Sequence, residues 1–297
     1  MKRGLITWDR AELPEAVFQS RLAKVRRALA GHDAPALLVY TDVARSDQAR
    51  HFTNFMPYWN RSLAVIPCEG HPVLLCGLSP RVYPWIRSLT IFGEIRRAPR
   101  LVPALLELCS ERAWNRIAVL DLPRFPHEVH LPLQESGLAL ANLTLEIVDG
   151  AEIAMRRRAA EMARRVLAEA LPSASGLSDW ELSGRLERAF RRGGAEDLVL
   201  SFAADGSAPR PAHGRILGDA YSAAVAIEYR GHWAKVTRPR ASADARQELA
   251  TRFADALGRG EGYVESLADG MAAVQIDSRI DGERLFYGDT CWQGSPL

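Results

Sequence analysis

Cysteine is scarce in this sequence, and its spacing matches no metal-binding or redox motif. The 297 residues include four cysteines, Cys68, Cys76, Cys109 and Cys291. They form no CxxC pair and no Cys/His cluster, which argues against a zinc finger and against a disulfide-stabilised scaffold. We therefore expect reduced thiols.

Long apolar runs and an excess of one charge are missing as well. No segment approaches the roughly 18 to 20 uninterrupted apolar residues of a membrane helix. Asp9, Arg10 and Glu12 interrupt any apolar signal-peptide core, so we expect a cytoplasmic protein with no membrane partner. Lys and Arg (38) nearly balance Asp and Glu (36), giving a net charge of +2. Short arginine-rich runs are typical of solvated helix faces, so we expect no nucleic-acid partner.

Residues 1–150 alternate between helical and strand-like patterns, which predicts an α/β domain with a mixed sheet. Apolar residues at helical spacing (Phe18, Leu22, Val25 and Leu29) predict a helix over 15–31, ended by Gly31. An almost wholly apolar run at 35–42 is typical of a central strand. The remaining predicted elements are a hairpin over 61–77, helices near 80–88 and 101–113, and strands in NRIAVLDL and LTLEIVDG.

Residues 151–297 differ in composition and predict a second domain. A long helix is expected over 151–171, with a buried face marked by Ile153, Met162, Val166 and Leu167. A second helix follows, for which Ser178 and Glu181 have the spacing of a capping box and Gly193-Gly194 is the stop. Next come a strand in DLVLSFAADG, paired strands in YSAAVAIEY and HWAKVTR, a third helix in SADARQELATRFADALGRG, and a strand-rich tail.

The order of short motifs in this half resembles the catalytic domain of the creatinase and Xaa-Pro peptidase family, whose fold is called pita-bread. The motifs are Gly194-Ala195, Ala212-His213-Gly214, Leu217-Gly218-Asp219 and Thr237-Arg238. The segment HFTNFMPYWNRSLAVIPCEGHPVLL is similar to the hairpin region of the family's N-terminal domain. The resemblance implies an α/β (α+β) fold, with a small mixed-sheet domain at 1–150 and a shortened pita-bread domain at 151–297.

The resemblance also implies a site for two divalent metals, and the sequence departs from the family there. Family peptidases hold Mn-like ions with two aspartates, a histidine and two glutamates. The aspartate positions, eleven apart across a hairpin, are Ala224 and Lys235 here. Ile276 stands at one glutamate position, only Asp289 is similar to the other, and the histidine-bearing segment has no counterpart. We therefore expect neither a metal nor another cofactor.

Two residues are candidates for catalysis. Creatinase has this fold and works without metal, and its acid/base histidine lies in the loop that matches Ala212-His213-Gly214. The resemblance therefore implies that His213 shuttles protons, which an imidazole can do near neutral pH. Lys235 would occupy the space of a metal ion and anchor a carboxylate or, if desolvated, act as a base. The alternatives are a loop histidine satisfied by a neighbour and an edge-strand lysine that prevents aggregation.

Four further candidates for substrate binding lie near the hairpin or in the tail. Strand alternation places Lys235 and Thr237 on one face and Arg238 on the other, where a structural ion pair is the alternative to a substrate role. Glu228 and His232 flank the turn, where side chains are usually solvated. Asp289 would pair with Lys235 across the pocket.

Trp59 and Arg61 are the candidates in the first domain. In the family, the N-terminal domain of a partner subunit closes the active site, which implies a homodimer in which these residues cap a neighbour's pocket. An aromatic platform with a guanidinium suits a small carboxylate or an amine.

Two main functions stay open. The first is a metal-independent, creatinase-like enzyme that acts on a C–N bond of a small amino-acid-like or guanidino substrate. The second is an inactive pseudo-peptidase that binds a small ligand, a peptide or a partner protein. An accessory factor that only dimerises is a third reading.

Overall fold

A computed structural model gives the fold and describes residues 6–145, 148–204, 210–241, 262–267, 271–277, 284–286 and 290–293. From residue 262 onward the description is of the backbone. The chain divides into two compact units, one of which spans Lys2–Ala151 while the other begins at Glu152.

The first unit alternates helices and strands along the chain. Its helices are α1 (Glu15–Ala30), α2 (Asp47–Thr53), α3 (Tyr83–Leu89), α4 (Leu101–Glu111) and α5 (His127–Glu135). Its strands are β1 (Ala36–Thr41), β2 (Ser62–Pro67), β3 (Val73–Cys76), β4 (Glu94–Arg97), β5 (Arg116–Leu120) and β6 (Ala139–Leu143).

These strands form one mixed sheet in the order β4-β3-β2-β1-β5-β6. β1 is antiparallel to β2 and parallel to β5, so helices must cover both faces. Leu37 and Val39 face a core with α1, α2 and α3, whereas Ala36 and Leu38 face a second core with α4 and α5. This two-sided burial explains why β1 is apolar at nearly every position.

The sequence predicted most of this unit. α1 ends at Gly31 and buries its four predicted apolar residues, and β1 and the β2–β3 hairpin lie where expected. The strand predicted in LTLEIVDG was wrong, because among its described residues only Leu143 belongs to a strand, β6. β6 pairs with β5 at the sheet edge and is largely exposed, so it needs no apolar run. Helices α2 and α5 were not predicted.

The second unit has two helices followed by strands. The helices are α6 (Gly150–Ala170) and α7 (Asp179–Arg192). The strands are β7 (Asp197–Ala203), β8 (Ala220–Tyr229), β9 (His232–Ala241), β10 (Gly262–Leu267), β11 (Met271–Asp277), β12 (Arg284–Phe286) and β13 (Thr290–Gln293). They form an antiparallel sheet in the order β13-β9-β8-β7 and a three-stranded sheet β10-β11-β12. The predicted third helix, at 242–260, lies outside the described residues.

The core of this unit lies between helices and one sheet face. Phe190 of α7 and Val225 and Ile227 of β8 are fully buried in it, together with Met155 and Val166 of α6. Ile153, predicted to be buried, is 40% exposed. The first buried apolar residue of α6 is Met155, two residues and therefore about half a helical turn away. Across the ranges that the structure describes, we find no helix long and apolar enough to cross a membrane.

Candidate functional site

The hairpin of β8 and β9 is joined by a two-residue turn at Arg230 and Gly231. Both residues have positive φ angles, 50° and 87°, as the tightest hairpin turns require. The turn fixes a register in which Ala226 lies opposite Lys235 and Ala224 lies opposite Thr237. Ala224 and Lys235 are therefore diagonal neighbours on one sheet face.

This face is the one opposite the helices. Side chains of β8 and β9 alternate, and Ala223, Val225 and Val236 belong to the helix-side core. Ala224 and Thr237 are buried on the other face, whereas Lys235 is exposed there. The burial that a lysine base would need is therefore absent, whereas a carboxylate anchor needs only the exposed charge.

The two hairpin positions on this face, Ala224 and Lys235, carry no oxygen ligand for a divalent metal. Ala224 offers a methyl group and Lys235 an ammonium group where carboxylate oxygens would be needed. Within the described ranges, no three His, Cys, Asp or Glu side chains are grouped so that they could hold a metal ion.

Arg238 and His232 project from the helix side of β9. The Arg238 Nη1 donates to the carbonyl oxygen of Arg164 in α6 at 3.4 Å. The Nδ1 of His232 lies 2.9 Å from Oε2 of Glu152, and both side chains are largely buried. Both residues thus tie β9 to α6, and their substrate-binding role stays a prediction.

Glu228 is buried rather than solvated, with 1% of its surface exposed. It lies on the face of Lys235, opposite Asp197 in β7 and Trp233 in β9. Asp289, the last candidate of this unit, lies outside the described residues.

The loop that carries His213 is fixed by a buried aspartate at the start of α7. Oδ1 of Asp179 accepts the backbone N–H groups of His213 at 3.1 Å and of Gly214 at 2.7 Å. Its Oδ2 lies 3.4 Å from Nε of Arg215, and its own N–H donates to the Arg215 carbonyl at 2.8 Å. A fully buried carboxylate with this many donors holds the loop in one conformation.

The imidazole of His213 has one nitrogen engaged. Its Nδ1 lies 3.0 Å from the Pro211 carbonyl oxygen and 3.9 Å from Oδ2 of Asp179. A carbonyl oxygen can only accept, so we assign the proton to Nδ1, which leaves the lone pair on Nε2. The side chain is 51% exposed, and among the described residues none forms a hydrogen bond with Nε2.

The backbone conformation and the neighbouring side chain require glycine at position 214. Its φ is +92°, and an added Cβ would meet the Trp180 ring at 3.0 Å. The group that approaches the backbone here is the Trp180 indole. The 63% exposed Trp180 ring covers the loop next to His213.

Asp179 is the site residue that the sequence did not reveal. It follows Ser178, whose side chain accepts the N–H of Glu181 in the predicted capping box. An acidic residue in the first turn of a helix is common because it interacts favourably with the helix dipole. Asp179 therefore gave no separate signal.

The candidates of the first unit lie on its surface. Trp59 is 59% exposed and stacks on Tyr58 with ring centroids 5.8 Å apart. Arg61 forms an ion pair with Glu128, and this hydrogen bond lowers the pKa of the Glu128 carboxyl. Their role in closing a neighbour's pocket stays a prediction.

No family model matches the chain, and no curated protein matches it in sequence. Solved structures do match. The X-Pro aminopeptidase from Thermotoga maritima MSB8 has a TM-score of 0.64 and 16% identity, over 83% of this chain and 72% of that one. The prolidase from Pyrococcus furiosus has a TM-score of 0.62 and 12% identity, over 93% and 99%. The dipeptidase PepE from Mycobacterium ulcerans has a TM-score of 0.62 and 15% identity, over 97% and 96%.

These likenesses define the class of the fold. The chain has the pita-bread fold of the Xaa-Pro peptidases and prolidases, and a mixed-sheet unit precedes that part in the sequence. The predicted fold class is confirmed. At sequence identities this low, the likeness shows the fold alone.

Proposed function

We propose that the protein is a metal-independent, creatinase-like hydrolase that cleaves a C–N bond of a small amino-acid-like or guanidino substrate. The arrangement of His213 carries this proposal. Its Nδ1 is engaged by the Pro211 carbonyl, its Nε2 has no hydrogen-bond partner among the described residues, and its loop is fixed on the buried Asp179. A positioned imidazole with one free nitrogen is what a proton shuttle needs.

His213 would act in two directions during hydrolysis. Nε2 would take a proton from the water that attacks the carbon of the scissile bond and then pass it to the leaving nitrogen. Asp179, whose Oδ2 lies 3.9 Å from Nδ1, would stabilise the imidazolium that forms in between. No step passes through a metal, because Ala224 and Lys235 supply no oxygen ligands.

The other candidate residues would bind the substrate. Lys235, exposed on its sheet face, would anchor a carboxylate, with Glu228 on the same face and Asp289 as further predicted contacts. Arg238 and His232, which are also predicted contacts, lie on the helix side of β9. Trp59 and Arg61 of a second copy would close the pocket in a homodimer. The proposed setting is the cytoplasm, in keeping with free thiols at the three cysteines whose side chains are described.

The alternative is a pseudo-peptidase that binds a small ligand, a peptide or a partner protein without turnover. The exposure of Lys235 favours it, because catalysis gains most from groups in a water-excluded site.

One experiment separates the two. Amino acids, guanidino compounds and Xaa-Pro dipeptides are screened by thermal shift, and each hit is incubated with the protein and followed by mass spectrometry. The enzyme hypothesis predicts a product that His213→Ala abolishes and that the matched control His71→Ala, at an exposed loop histidine, leaves unchanged. Binding without product, at an affinity that Lys235→Ala lowers, would select the pseudo-peptidase. Stoichiometric Mn, Zn or Co in the purified protein would contradict metal independence.

A further inference from the structure

The first unit contains a cleft where two parallel strands end. It lies at the carboxyl ends of β1 and β5 and is a shallow depression that is open to solvent. Its lining includes Tyr40, Gln48, Asp121, Arg124 and Phe125.

The topology of the sheet favours a ligand at this place. From β1 the sheet continues to β2 on one side, whereas from β5 it continues to β6 on the other. Connections that leave in opposite directions open a crevice between the two strand ends. In α/β sheets, such switch points are where ligands bind.

One wall of the cleft is aromatic. The Tyr40 and Phe125 rings meet edge to face at 5.9 Å, and the Tyr40 hydroxyl donates to Oδ2 of Asp42 at 3.0 Å. Burial, together with the Asp42 charge, raises the pKa of Tyr40 to about 12, so the phenol stays neutral at physiological pH. This wall suits an apolar side chain.

The rim carries two acidic residues, Asp47 and Asp121, and two basic ones, Arg45 and Arg124. Nη1 of Arg124 and Nε2 of Gln48 both lie 3.5 Å from Oδ2 of Asp121, at the limit of a hydrogen bond. Arg45, in contrast, is held on Asp42 at 3.1 Å and lies over the Tyr40 ring. Arg124 is 67% exposed and Asp121 32%, so both can exchange their long contact for shorter ones to a ligand.

We propose that this cleft binds a free α-amino acid with an apolar side chain. The ligand carboxylate would pair with Arg124 and its ammonium with Asp121, and the side chain would pack against Tyr40 and Phe125. A simple anion would meet the nearby carboxylate of Asp121, and a simple amine would meet the guanidinium of Arg124. A zwitterion pairs with Arg124 and Asp121 at the same time. This inference goes beyond the proposed function, since it concerns the other unit.

The test is calorimetric titration of the full chain with three compounds of matched shape. L-Leucine carries both charges, 4-methylpentanoate lacks the ammonium, and 3-methylbutylamine lacks the carboxylate. We expect leucine to bind and both analogues to bind at least tenfold more weakly. An analogue that binds as well as leucine would overturn the zwitterion site, as would a lack of leucine binding.

Matched variants locate the binding. Asp121→Asn and Arg124→Ala should each weaken leucine at least tenfold; asparagine tolerates the φ of 53° at position 121. The controls are Asp33→Asn and Arg116→Ala, because these residues form an ion pair at 3.2 Å near the opposite ends of the same strands. Asp33 also has a positive φ, 47°. The controls should stay within twofold of the unmodified protein. Leucine affinity that Asp121→Asn and Arg124→Ala leave unchanged would refute the assignment.

Discussion

At the scale of single residues, Asp179 organises the candidate site although it does not itself face the solvent. It is fully buried and holds the backbone of His213 and Gly214 while facing Arg215. The motif order predicted the His213–Gly214 loop, because its residues are contiguous. It could not predict Asp179, which is 34 positions away from His213 and has a local reason to be acidic. Similarly, the alternation of side chains along a strand predicted the sheet face on which Lys235 lies. It could not predict the exposure of Lys235, which depends on what covers that face.

Replacing Asp179 by asparagine should destabilise the second unit. An amide keeps the shape but loses the charge that accepts two N–H groups and faces a guanidinium. We expect the free energy of unfolding to fall by about 2 to 4 kcal/mol, measured by urea denaturation. Glu181→Gln, an exposed change in the same helical turn, is the control and should cost about 1 kcal/mol or less. Equal effects of the two changes would contradict the anchoring role of Asp179.

Asp42 should make the first unit sensitive to acid. Burial alone would raise the pKa of this carboxyl, but hydrogen bonds from the Arg45 and Ala44 backbone and from Tyr40 lower it below 3.8. A lowered pKa in the folded state adds stability above the pKa of the unfolded state. That stability disappears as the pH falls through the folded value.

The measurement is the difference in unfolding free energy between the unmodified protein and Asp42→Asn, from pH 7 to pH 3. We expect the difference to be largest at pH 7 and to shrink below about pH 4. Asp33→Asn, at a carboxylate that is 98% exposed, serves as the control and should stay within about 0.5 kcal/mol. A difference for Asp42→Asn that grew as the pH fell would refute this account.

At the scale of elements, signals within one segment of the sequence predicted α7 and α1. The elements that the sequence did not predict depend on contacts with distant parts of the chain. α7 begins with a capping box and is followed by Gly193, and both signals lie within one short segment of the sequence. β6 exists because it pairs with β5, and α2 is a seven-residue helix whose buried side chains include Arg50 and His51. Neither has the apolar periodicity that a single segment reveals.

The cap of α7 should contribute measurable stability. Ser178 accepts the N–H of Glu181 and would lose this bond on replacement by alanine. We expect Ser178→Ala to lower the free energy of unfolding by about 1 kcal/mol in urea denaturation. Ser183→Ala is the same chemical change inside the helix, where alanine is the better helix former, and should be neutral or slightly stabilising. If the two variants behave alike, the cap does not stabilise the helix.

At the scale of the whole molecule, each unit has its own apolar core. The sheet of the first unit is buried between α1, α2 and α3 on one face and α4 and α5 on the other. The second unit has a separate core between α6, α7 and β8. A unit that buries its sheet on both faces satisfies the main requirement for folding alone.

Residues 1–151 should therefore fold as an isolated fragment, with a single cooperative transition in urea followed by circular dichroism. Leu38→Ala should lower the stability of the fragment by about 2 to 5 kcal/mol, because it opens a cavity in the core between the sheet and α4 and α5. Leu131→Ala, at a position 39% exposed in α5, is the matched control and should cost less than about 1 kcal/mol. A gradual transition, or equal effects of the two leucine changes, would mean that the sheet core is not formed by these residues alone. A cooperative fragment that also binds L-leucine would place the proposed amino-acid cleft within a unit that needs no other part of the chain.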